Sequence, residues 1–195
     1  MATLATIAAE AGWRRWGTPF AELSEPLRER LTRIKLIAFD FDGVMTDNHV
    51  YVDETGREMV ACSRFEGFGL DRVRTAGVEV CIISTEKNPV VEKRAAKLRL
   101  AVEHGVDDKV AMLKRFADRF GIGLEDCAFV GNDVNDIPAL QAAGIAIVVG
   151  DSHPAVLPFA HYVTERFGGH GAVREICDLI ADVHERHLRP TGPAD

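Results

Sequence analysis

The sequence predicts an α/β fold, three layers deep, with helices covering both faces of a central parallel sheet. Three observations predict it. Short runs rich in Val, Ile and Ala alternate with helical stretches from Ile34 almost to the end of the chain, and such alternation implies parallel strands joined by right-handed crossovers. The strand runs are apolar throughout rather than at every second residue, as in strands covered on both faces. One stretch breaks the alternation. "HVYVDETGREMVAC" holds two strand-like runs around Asp53-Glu54-Thr55-Gly56, which predicts a β-hairpin flap.

The elements follow in order. Residues 1–33 read as an N-terminal appendage. "ATLATIAAEAGWRRW" suits a short amphipathic helix. "SEPLRERLTRI" suits a second one, with Ser24 as N-cap and Glu25-Pro26 in its first turn. Residues 34–183 read as one domain. "IKLIAFD" is a buried strand, and the hairpin comes next. "GFGLDRVRTAG" is a helix ending at Gly77, and "VEVCIIS" a strand. "PVVEKRAAKLRL" is a helix with Pro89 in its first turn, "LAVEH" a short strand and "DDKVAMLKRFADRFG" a helix. "CAFVG" is a strand, "VNDIPALQAAG" a helix and "IAIVVG" a strand. "HPAVLPFA" is a short helix and "HYVT" a strand, and "GAVREICDLIADVHERH" closes the chain as a helix. Residues 184–195 read as a flexible tail, with two prolines after Arg189.

Bulk composition narrows the function. A chain of 195 residues suits one domain with a real core. A net charge of -7 argues against nucleic acid as a partner, since phosphate backbones call for a basic face. It leaves room for a small anionic substrate in a local basic pocket. Cys62, Cys81, Cys127 and Cys177 form no CxxC pair, so reduced, buried thiols are expected rather than zinc. No apolar run reaches membrane-spanning length, and Glu10 interrupts the N-terminal stretch where a secretory signal would need a continuous apolar core. A cytoplasmic protein with no membrane partner is expected. There is no GxSxG, HExxH or GxxxxGK[ST] pattern, which disfavours serine hydrolases, zinc hydrolases and ATP users.

In parallel sheets ligands bind outside the carboxyl ends of the strands, so strand endings become candidate site residues. "LIAFDFDGVMTD" carries Asp40 and Asp42, which share one face if the strand continues. "VCIIS" ends in Ser84, followed by Thr85 and Glu86. "CAFVG" ends in Gly131, followed by "NDVND", and Lys109 opens the "DDKV" helix. Taken singly, these are a turn, a cap, a loop and a surface lysine. Taken together at successive strand ends they fit phosphoryl transfer through an aspartate. One carboxylate attacks phosphorus. A divalent cation screens the meeting of anions, while a lysine and a hydroxyl hold phosphate oxygens. A second carboxyl protonates the leaving alcohol and then activates water.

"DFDGVMTD", "IIST", Lys109 and "GNDVND" resemble the four motifs of the haloacid dehalogenase superfamily, and the resemblance runs from Ile34 to about Ile180. It implies a Rossmann-like three-layer sandwich. "YVDETGRE" stands where larger relatives carry a cap domain, so no cap domain is expected. "RFGGHGAVREICDLI" resembles the C-terminal signature of the capless branch acting on 3-deoxy-2-ulosonate sugar phosphates. The resemblance implies Asp40 as nucleophile, Asp42 as general acid/base with its carbonyl on the metal, and Gly43, Ser84 and Lys109 on the phosphate. Asp40, Asp42, Asn132 and Asp133 would hold Mg²⁺, with Asp136 in support. Two positions depart from the pattern. Asn132 stands where many relatives have Asp, and Glu66 stands where many octulosonate phosphatases have Asp.

For the substrate, Glu86, Arg94 and Lys97 resemble the pocket of enzymes acting on nonulosonate 9-phosphates. That substrate is favoured, with 3-deoxy-manno-octulosonate 8-phosphate a close second. Arg94 and Lys97, three apart, share a helix face that could meet a sugar carboxylate or simply be solvated. Arg174 is a further substrate candidate. The family also implies a homotetramer built around the hairpin, with neighbouring subunits closing the pocket. The chain is similar, too, to the phosphatase-like domain of some acylneuraminate cytidylyltransferases. That gives the second reading, a non-catalytic oligomerisation module of such a system.

Overall fold

The computed structural model describes residues 22–188. The expected helix at residues 2–16 and the tail from Arg189 lie outside the described residues.

Six strands form one parallel sheet and two more form a separate hairpin. In chain order the main elements are α1 (Glu25–Arg33), β1 (Leu36–Phe39), β2 (Thr46–Val52), β3 (Glu58–Cys62), α2 (Phe65–Thr75), β4 (Glu79–Ile83) and α3 (Val90–Leu98). There follow β5 (Ala101–Glu103), α4 (Lys109–Phe120), β6 (Cys127–Gly131), α5 (Ile137–Ala142), β7 (Ile145–Val148), β8 (Tyr162–Val163) and α6 (Ala172–Leu188). The sheet order is β5-β4-β1-β6-β7-β8, and β2 pairs antiparallel with β3. β1 lies between β4 and β6, with Leu36 aligned on Glu79 and on Cys127. The end of β1 therefore faces the ends of both neighbours, and the candidate residues meet there.

The period-two alternation of strand side chains divides the interior into two cores. Ile37, Phe39, Val80, Ile82, Ala128 and Val130 face one side, packed with Leu70 of α2, Val91 of α3 and Ile176 and Ile180 of α6. Leu36, Ala38, Cys81, Ile83 and Phe129 face the other, packed with Leu113, Phe116 and Ala117 of α4 and Leu140 of α5. This is the three-layer sandwich expected. α4 has clear boundaries: the Asp108 side chain accepts from Ala111 N at 3.0 Å, and Gly121 closes the helix with φ 67°.

Several boundaries differ from those expected. The apolar stripe of α1 is drawn into the first core: Leu31 is fully buried, Leu27 packs beside it, and the Leu31 carbonyl meets His184 of α6 at 3.2 Å. The end of the supposed 1–33 appendage thus packs as part of the domain. α6 likewise continues past residue 183 to Leu188. "VNDIPALQAAG" is not one helix. A 3-10 turn, Val134–Asp136, precedes α5, because Asp133 and Asp136 cap that turn reciprocally and Pro138 begins a new helix. "HPAVLPFA" forms a 3-10 helix, Pro154–Phe159, with Pro158 inside it. Proline lacks the N–H that an α-helical turn needs. The four cysteines are free, and all but Cys62 are buried. Among the described residues no helix is long and apolar enough to cross a membrane.

Candidate active site

β1 ends at Phe39, and Asp40 extends its ladder by donating its N–H to the Val130 carbonyl at 2.9 Å. Phe41 is fully buried. Its carbonyl accepts from Met45 N at 2.8 Å and Thr46 N at 3.2 Å, closing a tight turn. Asp42 therefore belongs to the turn and not to the strand. Strand alternation does not extend to it, but the turn folds it back so that Asp40 and Asp42 line one pocket with Asn48, Thr85, Asn132 and Asp133.

Behind the pocket wall lies a buried charge cluster. Lys109, the first residue of α4, places its Nζ 2.8 Å from Asp40 Oδ1 and 2.6 Å from Asp136 Oδ1. Asp136 is fully buried, and its Oδ2 accepts from Asn132 N at 2.8 Å and Asp133 N at 3.2 Å. One lysine thus ties the end of β1 to the loop after β6. Burial pushes the Asp40 carboxyl up to about 7, Asp136 pushes the same way, and Lys109 opposes them. Burial works against the Lys109 charge, yet Asp40 and Asp136 outweigh it and its pKa is raised, so it stays cationic. Asp42 is also raised, first by burial and then by Glu86. A carboxyl raised in this way is suited to carry a proton.

Gly43 was expected to bind phosphate. Its N–H is instead given to Thr46 Oγ1 at 3.0 Å. The requirement for glycine is steric: φ is +74°, and a Cβ would run into the Asn132 amide. Ser84 is buried at the end of β4, and its Oγ accepts from Glu86 N at 3.1 Å, which leaves its hydroxyl proton to donate. A glycine loop braces the turn after Asp40 from the other side. Gly169 N donates to Val44 O at 3.1 Å, and a Cβ on Gly168 would strike the Gly43 carbonyl. Glu175, fully buried, holds that loop by accepting from Tyr162 OH, Glu165 N and Arg166 N at 2.8, 3.0 and 2.9 Å.

The donor atoms fit a magnesium ion. Asn132 Oδ1 is buried and has no hydrogen-bond partner, and an orphaned buried acceptor is costly unless something fills it. Asp133 is less available, since its Oδ1 caps the 3-10 turn by accepting from Val134 N at 2.7 Å. Among the described residues no three His, Cys, Asp or Glu side chains cluster as ligands. A magnesium ion can take one or two carboxylates and an amide, with water and substrate phosphate completing its shell.

The proposed sugar contacts are dispersed. Glu86 follows Thr85 but does not itself line the pocket, and its Oε1 accepts from Asn88 N at 2.6 Å. Arg94 and Lys97 do not form a shared basic face. Arg94 Nη2 donates to Glu66 Oε2 and to Ser63 O, each at 2.6 Å, drawn into the α2–α3 junction by a buried carboxylate, while Lys97 is exposed. Arg174 pairs with Asp178 on its own helix at 2.6 Å and packs over Gly69 of α2. None of these three lines the pocket. The sequence reading missed Asn48 and Asn135, which do line it. Asn135 lay within a quoted motif, whereas Asn48 gave no signal beyond asparagine's tolerance of left-handed backbone.

The model of the haloacid dehalogenase-like hydrolase family matches residues 91–176. The 3-deoxy-D-manno-octulosonate 8-phosphate phosphatase KdsC of Escherichia coli is 34% identical over 164 residues, covering 84% of this chain and 87% of that protein. The chain belongs to the haloacid dehalogenase-like hydrolases. It is a phosphatase, a phosphoric monoester hydrolase, rather than the non-catalytic module of the second reading. A hypothetical protein from Xanthomonas campestris shares the fold with a TM-score of 0.84 at 32% identity, covering 87% of this chain and 93% of that one. The 3-deoxy-D-manno-octulosonate 8-phosphate phosphatase of Moraxella catarrhalis, in complex with magnesium ion, phosphate ion and KDO, matches with a TM-score of 0.79 at 31% identity. That match covers 83% of this chain and 93% of that one.

Proposed function

We propose that this chain removes the terminal phosphate of a 3-deoxy-2-ulosonate sugar phosphate, through an aspartyl-phosphate on Asp40 and with Mg²⁺ as cofactor. The observation that carries the reading is Lys109, buried between Asp40 and Asp136 beside the orphaned Asn132 Oδ1. Asp40, Asn132 and the main-chain carbonyl of Asp42 would hold the cation, with Asp133 at its edge. Bound there, it supplies positive charge where the phosphate meets the carboxylates.

Asp40 attacks phosphorus, and the bond from phosphorus to the sugar oxygen breaks. Asp42, protonated, gives its proton to that oxygen. As a carboxylate it then takes a proton from water, which attacks the acyl phosphate, frees inorganic phosphate and restores Asp40. Lys109 and Ser84 hold phosphate oxygens through both steps.

The similarity to octulosonate 8-phosphate phosphatases favours 3-deoxy-manno-octulosonate 8-phosphate as substrate, and Arg94, engaged by Glu66, lends less support to the nonulosonate than its position in the sequence did. Glu86, whose charge acts on Asp42, keeps a nonulosonate 9-phosphate as the second reading. Exposed Val50, Tyr51, Val52 and Met59 on the hairpin support a homotetramer assembled through it. The test is phosphate release with Mg²⁺ from both sugar phosphates. The octulosonate ester is expected to be cleaved with the higher kcat/KM. A higher value for the nonulosonate ester reverses the substrate order, and no release from either by folded protein overturns the proposal.

A further inference from the structure

We infer that Asn48 contacts the substrate, its amide hydrogen-bonding a hydroxyl of the sugar close to the phosphorylated carbon. The inference rests on the reading of the pocket given above and adds a residue that reads the leaving group.

Asn48 lies in β2, where the pairing with β3 shifts register between Thr46 and Val50. Its φ is +62°, and among the described residues only Arg99 is another non-glycine with positive φ. Arg99 simply closes α3 as its C-cap. Asn48 closes no helix and stands inside a strand, where a side chain in this conformation costs energy that glycine would not. Left-handed residues without a capping role point to functional sites.

The backbone here is fixed to the nucleophile turn. Asn48 N donates to Thr46 Oγ1 at 3.3 Å, and the same oxygen accepts from Gly43 N at 3.0 Å. Thr46 is fully buried. The side chain stands over that turn: Asn48 Cγ is 3.2 Å from the point a Cβ on Gly43 would occupy, close to the Asn132 amide. It lines the pocket with Asp40 and Asp42. The residue is exposed, and its amide makes no hydrogen bond among the described residues. Packing therefore does not account for the side chain.

The chemistry selects the partner. The pocket already carries three carboxyls, those of Asp40, Asp42 and Asp133, and receives a phosphate, so a further anion beside Asn48 would repel substrate. A neutral amide both donates and accepts, as a sugar hydroxyl does. Thr85 and Asn135 continue the same neutral polar rim. Such a rim suits a polyhydroxylated alcohol, with its phosphate at the floor and its next hydroxyl at Asn48.

The test uses Asn48→Gly, since glycine adopts this backbone freely and the fold is kept. Values of kcat/KM are compared for the ulosonate phosphate and for p-nitrophenyl phosphate, whose leaving group has no hydroxyl beside the ester carbon. The fall for the sugar phosphate is expected to exceed that for p-nitrophenyl phosphate by about tenfold, the loss of one hydrogen bond. Asn48→Asp, which also tolerates the backbone, is expected to show a selective loss of at least that size. Equal proportional falls on both esters, or no fall, overturn the inference while the substrate reading stands. If the wild type cleaves p-nitrophenyl phosphate but neither ulosonate phosphate, the substrate reading fails and the inference with it.

Discussion

Asp40 illustrates how a single residue can be costly to the fold and necessary to the chemistry. Its carboxyl ordinarily ionises near 3.8, and burial raises it to about 7 in the metal-free protein. A carboxyl whose folded value exceeds its unfolded value favours the folded state while it is protonated. That contribution is lost as pH rises through the folded value. Asp40→Asn, which stays neutral, should therefore gain in stability relative to wild type between about pH 4 and pH 7; denaturant melts without metal across that range measure it, and a constant difference contradicts it. Asn132 makes the opposite case, a neutral ligand where charge is usual. Asn132→Asp should lower the Mg²⁺ concentration that half-saturates activity by several-fold, read from a metal titration, because a carboxylate adds full charge at the orphaned Oδ1 position. At this scale Asp40 could be singled out from a strand end and Asp136 only through the family resemblance, while their meeting at Lys109 is seen in the fold. The sequence did not show that Asp42 leaves the strand, or that the Gly43 N–H is taken by Thr46, because both follow from a turn whose geometry is set by burial of Phe41.

Among the elements, helix α6 does much of the positioning. Through Glu175 it holds the glycine loop against the nucleophile turn, and along its length it is tied to α2. Arg72 of α2 pairs with Asp178, Asp182 and Glu185 on successive turns of α6. Isolated surface pairs contribute little, but one guanidinium shared by three carboxylates is only about a third exposed. Arg72→Ala is expected to cost about 1–3 kcal/mol by chemical denaturation, with the substrate KM little changed; a loss under 0.5 kcal/mol would show that solvent screens the network. The period of apolar residues located these helices well. It located α1 as well but not its place in the core, because an apolar stripe looks the same whether it meets solvent, a partner or its own core. It failed for Arg94 and Lys97, because spacing places two side chains on a helix face but does not say that a buried Glu66 will turn one of them inward.

The whole molecule combines a compact sheet domain with a hairpin that its own core does not cover. β2 is exposed along most of its length, and Val50, Tyr51 and Val52 are adjacent in it. Successive strand residues alternate faces, so Tyr51 shares a face with Met59, its partner on β3, and this exposed pair is a candidate association surface. On the proposed homotetramer, Tyr51→Glu is expected to shift the protein to smaller species in light scattering, with thermal stability of the domain largely kept; an unchanged mass excludes the hairpin as the interface. The parallel sheet with helices on both faces was legible from the alternation of strands and helices, whereas the strand order was not, because it depends on which strands pair; assembly was not either, since exposure of an apolar strand is visible only once the fold shows what covers it. The account as a whole depends on covalent chemistry at the carboxyl end of β1. The most direct measurement is acid quenching during turnover of 3-deoxy-manno-octulosonate 8-phosphate carrying labelled phosphorus, followed by mapping of the labelled peptide. The label should lie on the peptide containing Asp40 and be absent, with activity lost, in Asp40→Asn. Phosphate release without label on Asp40, or undiminished turnover in that variant, would contradict the account.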